Sequence, residues 1–218
     1  EEIKKKANLQ HVKLERVKEI DKEIHHDLMA MVKALAEQCE GDAEKYVHLG
    51  ATSYDIEDTA LALILRDALL HVKSRIIELI KIFINLMKKT INLVCIGRTH
   101  GQHAIPTTYG MRIGVWAYEL HGHVERIDEA LPRISHGKMS GAVGTMASFG
   151  DVGEKIQEIV MKELNLKPVL IANQIIQRDR HAEVLFLTTL IGQTLAKIAR
   201  QNRILQRNEI AEMFEPFK

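Results

Sequence analysis

The chain has 218 residues, of which 30 are basic and 29 acidic, so its formal net charge at pH 7 is +1. That length suits one large domain or two small ones with a proper hydrophobic core. The balanced charge gives no overall field for polyanions, and 5% aromatic residues give little surface for base stacking, so we predict no nucleic-acid partner.

Cysteine usage and hydropathy point to the cytoplasm. Cys39 and Cys95 make neither a disulfide framework nor a four-cysteine metal site. No apolar segment follows the charged residues 1–6, as a signal peptide would require. The uncharged apolar run Val184–Ala196 is shorter than the roughly 20 residues of a membrane helix. We therefore predict a cytoplasmic protein with no membrane partner.

Two helical patterns occupy the first part of the chain. Apolar residues recur every three or four positions over Val12–Cys39 and again over Leu61–Leu86, where neither glycine nor proline interrupts the pattern. Residues 46–58 lie between them and predict a loop with a helix start inside it. Thr52 or Ser53 can cap that start, and the acidic residues after them, including Asp55, suit the positive end of the helix dipole.

The polar stretch Gly97–Thr108 follows, and its glycines and Pro106 predict a loop. Two more long helical patterns cover Ile113–Leu131 and Val184–Leu205. Long helices with no paired strand signals predict an all-α protein, an elongated bundle of long helices.

The chain between the last two long helices contains only shorter segments. The glycine-rich segment Ser140–Gly150 suits a close backbone approach or a mobile loop. Asp151–Leu164 predicts a short amphipathic helix.

Polar residues gather in four places, at residues 25–27, 48–55, 97–108 and 173–181. His100 stands out because imidazole titrates near neutral pH and its neighbours Thr99 and Gln102 can orient it. Each cluster also has a structural reading as solvated surface histidines, a capping neighbour or an exposed helix start. His100 and His103 are three apart, but the intervening glycine disfavours a helix and no zinc-helix motif accompanies them, so we predict no metal site.

Four motifs in order give a resemblance. Gly50–Asp55, Gly97–Thr108, Ser140–Thr145 and Gln174–His181 resemble the fumarase/aspartase superfamily, and within it the family of adenylosuccinate lyases. The resemblance implies a homotetramer whose central helices form a bundle shared by all four chains, with each active site built from three of them. It also implies β-elimination without a cofactor: fumarate leaves adenylosuccinate to give AMP, and leaves the succinylated aminoimidazole carboxamide ribotide in the same way, in purine biosynthesis.

The resemblance also implies residue roles. His100 matches the general acid for the leaving nitrogen, and His26 matches a histidine that assists it. The matching substrate-binding positions, which contact the nucleotide, the carboxylates or the phosphate, are His25, Asp27, His48, Thr52, Ser53, Thr99 and Gln174.

The chain also departs from the family pattern. The family's general base is a serine in a Gly-Ser-Ser-x-Met-Pro-x-Lys-x-Asn loop, which these residues lack, as they lack the C-terminal domain and the N-terminal Arg-Tyr pair for the phosphate. We therefore expect residues 1–48 to end an N-terminal helical domain and residues 49–218 to form an incomplete central helical-bundle domain. We expect this piece to be inactive by itself.

Two other readings stay open. Argininosuccinate lyase, fumarase and the muconate-cycloisomerising enzymes share the bundle and the elimination chemistry, so the substrate is less secure than the fold. Outside the superfamily, bundle periodicity also fits a non-catalytic helical oligomerisation module, although such a module needs no polar clusters at its helix ends.

Overall fold

The structure is a computed structural model that describes residues 1–214. The described residues form seven α-helices, two short 3-10 helices and two small two-stranded sheets. The predicted all-α class is confirmed for the bulk of the chain. Two compact units are present, Glu1–Leu63 with His136–Gln177 and Ile64–Ser135 with Arg178–Lys218. The predicted domain boundary between residues 48 and 49 stays a prediction.

The first unit is made of short helices and the start of one long helix. Two small cores hold it together, one around Ile20, Ala30 and Ala34 and one around Met161 and Leu166. Its elements are α1 (Glu2–Lys6), α2 (Leu14–Ile24), α3 (Asp27–Ala36), a 3-10 helix (Gly41–Tyr46), the first residues of α4 (Ser53–Thr90), β3 (His136–Gly137), a 3-10 helix (Ala147–Val152), α6 (Gly153–Glu163) and β4 (Lys167–Pro168). The parallel pair β3–β4 and helix α6, which was predicted, lie in the second part of this unit.

The helical pattern over Val12–Cys39 is broken where the sequence predicted one helix. His25 ends α2 with a left-handed backbone (φ 51°), and the extended backbone of His26 begins α3. The apolar spacing continues across the break because both helices pack on one core. The single-helix prediction was wrong, since periodicity records which face is buried and does not record a one-residue turn.

The second unit contains the long helices. Most of α4, α5 (Tyr109–Ile134) and α7 (Asp179–Leu205) surround one core of fourteen buried residues. At its centre the rings of Phe83 and Trp116 lie 5.7 Å apart, and the Trp116 indole N–H donates to Gln201 at 2.6 Å. The α4 and α5 helices run beyond the predicted ends, and α5 includes Pro132 in its last turn.

One helix has the length and composition of a membrane span. Helix α7 passes that test as a whole, although its uncharged run is short. Buried helices of soluble proteins pass the same test, and Val184, Leu187, Ile191 and Ile198 of α7 belong to the core of the second unit.

The predicted loop at residues 97–108 is instead part of a β-hairpin. Strand β1 (Val94–Thr99) pairs antiparallel with β2 (Gln102–Thr108). His100 and Gly101 join them with φ values of 54° and 75°, the positive values that a two-residue type I′ turn requires. Of the residues predicted to break regular structure, Gly101 lies in the turn, whereas Gly97 and Pro106 lie within the two strands.

Two further features let this hairpin form. A register shift between Ile96 and Arg98 marks a bulge at Gly97, where an added Cβ would lie 2.7 Å from the Ile105 carbonyl oxygen. Pro106 fits because both strands of a two-stranded sheet are edge strands. The bulge bends strand β1 directly before Arg98.

Candidate active site

Asp55 organises the start of α4. It is the third residue of the helix and is 1% exposed. Its Oδ2 accepts the backbone N–H of Thr52, the residue before the helix, at 2.9 Å. This is one half of a capping box, in which an acidic side chain at the third helical position reaches back to the capping residue. Asp55 thereby fixes the backbone that presents Thr52 and Ser53.

Asp55 also forms a buried ion pair with Lys138, whose side chain is fully buried. The same carboxylate accepts the backbone N–H groups of Ser140 and Gly141 at 2.9 and 3.0 Å. Burial by itself would raise the pKa of Asp55, but the Lys138 ammonium and the Thr52 and Ser140 N–H groups hold that pKa below its usual range. One charged carboxylate therefore ties the glycine-rich segment to the start of α4.

His26 lies beside the same helix start. Its Nδ1 accepts the Met29 backbone N–H at 3.3 Å and so caps α3. A neutral imidazole that accepts at Nδ1 carries its proton on Nε2. That Nε2 lies 3.5 Å from Ser53 Oγ. His26 thus presents a donor, not a free base, to the start of α4.

Gln174 approaches the start of α4 from another segment. Its side-chain Nε2 lies 3.4 Å from Thr52 Oγ1, and Gln174 is exposed. Four of the residues predicted from the sequence, His26, Thr52, Ser53 and Gln174, are therefore brought together in the first unit.

The remaining predicted residues of this unit are His25, Asp27 and His48. His25 adopts its left-handed backbone directly before His26. Asp27 is largely exposed, with its Oδ1 accepting the Leu28 N–H at 2.7 Å. His48 is half-buried with φ 66°, and burial lowers its pKa, with a smaller contribution from the neighbouring His26 and against the opposing effect of Asp55. The lowered pKa makes His48 a neutral imidazole at pH 7.

The glycine-rich segment is packed closely against its neighbours, which is one of the two alternatives that its composition left open. Gly144 has φ 83°, and a Cβ there would lie 1.9 Å from the Ala172 carbonyl oxygen. Ser148 Oγ donates to the Gly50 carbonyl oxygen, and Phe149 lies over Gly50 at a distance that leaves no space for a side chain. This segment therefore forms a fixed wall next to residues 50–53.

Thr99 and His100 belong to the second unit, unlike the other seven predicted residues. Both are exposed at the tip of the β1–β2 hairpin, and the backbone of His100 is left-handed. Non-glycine residues with positive φ are uncommon and recur at functional sites. A two-residue turn between two paired strands therefore presents an exposed imidazole.

The group in the first unit consists of hydrogen-bond donors and hydroxyls. The first backbone N–H groups of α4, the Thr52 and Ser53 hydroxyls, the Gln174 amide and the His26 Nε2–H suit a carboxylate or a phosphate. Within residues 1–214, no group of three or more His, Cys, Asp or Glu side chains is placed to hold a metal ion.

The sequence analysis missed two residues of this site. No sequence pattern pointed to Lys138, because a single lysine before a glycine-rich segment is common. Asp55 was interpreted only as a charge near the helix dipole, although the spacing Thr52-x-x-Asp55 is a capping-box pattern that indicated its hydrogen bond. The sequence did not indicate that Asp55 and Lys138, which are 83 positions apart, form an ion pair.

Comparison with known proteins gives one family and several close relatives. The family described as Lyase matches residues 3–217. The chain is 56% identical over 215 residues to the adenylosuccinate lyase of Pyrococcus abyssi (strain GE5 / Orsay), an alignment that covers 99% of this chain and 48% of that protein. The chain spans about half the length of the curated relatives it matches.

Solved structures show the same fold. The crystal structure of fumarate lyase from Mesorhizobium sp. BNC1 has a TM-score of 0.84 at 34% identity, covering 91% of this chain and 46% of that chain. The crystal structure of 3-carboxy-cis,cis-muconate lactonizing enzyme from Pseudomonas putida has a TM-score of 0.87 at 31% identity, covering 95% and 48%. The predicted membership of the fumarase/aspartase superfamily is confirmed by these matches.

Proposed function

The chain belongs to the lyase family, and from that premise we propose that its protein eliminates fumarate from adenylosuccinate to give AMP. The same chemistry would release fumarate from the succinylated aminoimidazole carboxamide ribotide. The observation that carries the proposal is the donor group at the start of α4, found in a chain 56% identical to an adenylosuccinate lyase. We place this purine-biosynthetic enzyme in the cytoplasm.

The donor group suits the anionic part of such a substrate. Thr52 and Ser53 stand where the positive end of the α4 dipole favours a carboxylate or phosphate. Gln174 and the His26 Nε2–H add donors from two other segments. We assign His25, Asp27 and His48 to the nucleotide side of the same site, with His48 acting as a neutral hydrogen-bonding group.

The elimination itself needs an acid and a base. The base removes a proton from the carbon next to a carboxylate, the C–N bond breaks, and the acid protonates the leaving nitrogen. We assign the acid to His100, with Thr99 contacting the carboxylates and His26 assisting. No serine of residues 1–218 lies in the family's base motif, so the base in this proposal comes from outside this sequence. The proposed reaction uses neither a metal nor another cofactor.

We further propose that the protein acts as a homotetramer with active sites shared between three chains. The long helices carry large apolar side chains on exposed faces, among them Met111, Val115 and Tyr118 at 64%, 49% and 81% exposure along α5. Leu185 and Phe186 on α7 are more than 60% exposed. Apolar surface of this extent on long helices is typical of an interface between chains.

The test measures substrate consumption and fumarate release by the full-length protein. Adenylosuccinate should be consumed, whereas argininosuccinate, malate and carboxymuconate should not. His100→Ala should lower turnover by at least about two decades, as expected for loss of a general acid. His103→Ala is the matched control, because His103 is exposed on the same hairpin and should leave turnover nearly unchanged. A preference for another of these substrates would assign the protein to a different reaction of the superfamily.

A further inference from the structure

Glu212 is the centre of a charged cluster in the second unit. Its carboxylate accepts from Arg98 Nη2 at 2.6 Å, from the Tyr109 hydroxyl at 2.7 Å and from Arg112 Nη1 at 3.3 Å. The side chains of Glu212, Arg98 and Arg112 are each 20% exposed or less. The Arg98 guanidinium, helped by Tyr109 and Arg112, lowers the pKa of Glu212 to about 2 although partial burial opposes it. Glu212 is therefore ionised at neutral pH.

The segment that carries Glu212 folds back on the end of α7. The backbone N–H groups of Glu212 and Met213 donate to the Leu205 carbonyl oxygen at 3.0 and 3.2 Å, and Ala211 turns the chain with φ 47°. A left-handed alanine is uncommon. The turn and the carbonyl contacts hold Glu212 in place against the hairpin.

The partners of Glu212 lie on strand β1 close to the hairpin tip and at the start of α5. Arg98 directly precedes Thr99 and His100 and directly follows the bulge at Gly97. Arg112 Nη2 also donates to the Ile96 carbonyl oxygen at 3.4 Å. Glu212 therefore joins strand β1 to the start of α5 at a point two residues from the hairpin tip.

We infer that Glu212 is a positioning residue, which holds the end of strand β1 through Arg98 and so fixes the place of the His100 imidazole. The inference rests on the proposed function, in which His100 protonates the leaving nitrogen. At about 3.3 Å per residue the tip lies about 7 Å beyond Arg98, so a tilt of about 10° moves it by about 1 Å. A displacement of about 1 Å at a reacting group can lower the rate by about two decades.

The first test is steady-state fumarate release by the full-length protein carrying Glu212→Gln. We expect kcat to fall by about 10-fold or more with KM changed by less than about 2-fold, because the misplaced acid is needed in the transition state and not for binding. Glu212→Asp keeps the charge and should recover part of kcat. Tyr109→Phe keeps both ion pairs and should lose less than Glu212→Gln. Glu209→Gln, an exposed glutamate on the same segment, is the matched control and should behave as wild type.

The second test does not depend on substrate. Amide hydrogen exchange at residues 98–103 should become faster in Glu212→Gln and stay unchanged in Glu209→Gln, since loss of the cluster frees the end of strand β1 that carries Arg98. Wild-type protein that releases no fumarate would reject the proposed function. Hydrogen exchange would still test whether Glu212 holds the hairpin in place. Normal kcat in a folded Glu212→Gln variant, or unchanged exchange at the hairpin, would overturn the positioning role. If Glu212→Gln does not fold, Tyr109→Phe and Glu212→Asp carry the same comparison.

Discussion

The buried pair of Asp55 and Lys138 gives the sharpest stability prediction. Each oxygen of Asp55 has two donors: Oδ1 accepts from Lys138 Nζ and the Ser140 N–H, and Oδ2 accepts from the N–H groups of Thr52 and Gly141. In Asp55→Asn only one of the two positions remains an acceptor. Whichever way the amide is turned, its NH₂ group faces two donors.

The magnitude follows from that count. Each buried N–H left without an acceptor costs about 1–3 kcal/mol, and removing one partner of a buried ion pair costs about 3–5 kcal/mol. These two estimates describe overlapping losses, so we expect Asp55→Asn to lower the free energy of unfolding by about 3–5 kcal/mol. Lys138→Met should cost less, because the carboxylate keeps its three backbone donors. The double variant should cost less than the sum of the two single variants, since the partners are in contact.

The assay is urea unfolding followed by circular dichroism, with the slope compared between variants. Asp67→Asn is the control: Asp67 lies on the same helix, its side chain is 64% exposed in its pair with Arg66, and its loss should change stability by no more than about 1 kcal/mol. A loss below about 1 kcal/mol for Asp55→Asn would refute the reasoning, because it would mean that the four donors find other acceptors or water.

Three further predictions follow from the charges and the exposed faces. The stability difference between wild type and Glu212→Gln should be fully present above pH 4.5 and should vanish as the pH falls towards about 2, because the folded-state pKa of Glu212 is lowered from 4.5 to about 2. Acid unfolding curves of both proteins measure this difference. A constant difference across that pH range would contradict the prediction. In NMR titrations the pKa of His48 should lie below its ordinary value of 6.5, so the contribution of His48 to stability is lost as the pH falls below 6.5. A raised pKa would show that His48 is not buried as described. Tyr118→Arg should shift the mass measured by light scattering from tetramer towards smaller species, because it places a charge on an exposed apolar face of α5; an unchanged tetramer would remove this face from the interface.

Much of the fold could be read from the sequence because helices are local. The spacing of apolar residues located the long helices, since burial of one face repeats every 3.6 residues wherever the partner lies. The sequence also placed Thr52 and Ser53 at the start of a long helix, where the structure has them; their role as an anion site came from the family resemblance and stays a prediction. Motif order then indicated the superfamily, which the comparisons confirm.

Tertiary structure decided what depends on residues far apart in the chain. The β-hairpin was missed because pairing of β1 with β2 compensates for Gly97 and Pro106, and local propensity records only their cost. The break at His25 needed a single left-handed residue, which no periodicity predicts. Asp55 and Lys138 are 83 positions apart, and Glu212 lies more than 100 positions from Arg98. A charge has no fixed sequence distance to its partner, so only the folded chain determines which charges are paired, which are buried and which hold a functional side chain in place.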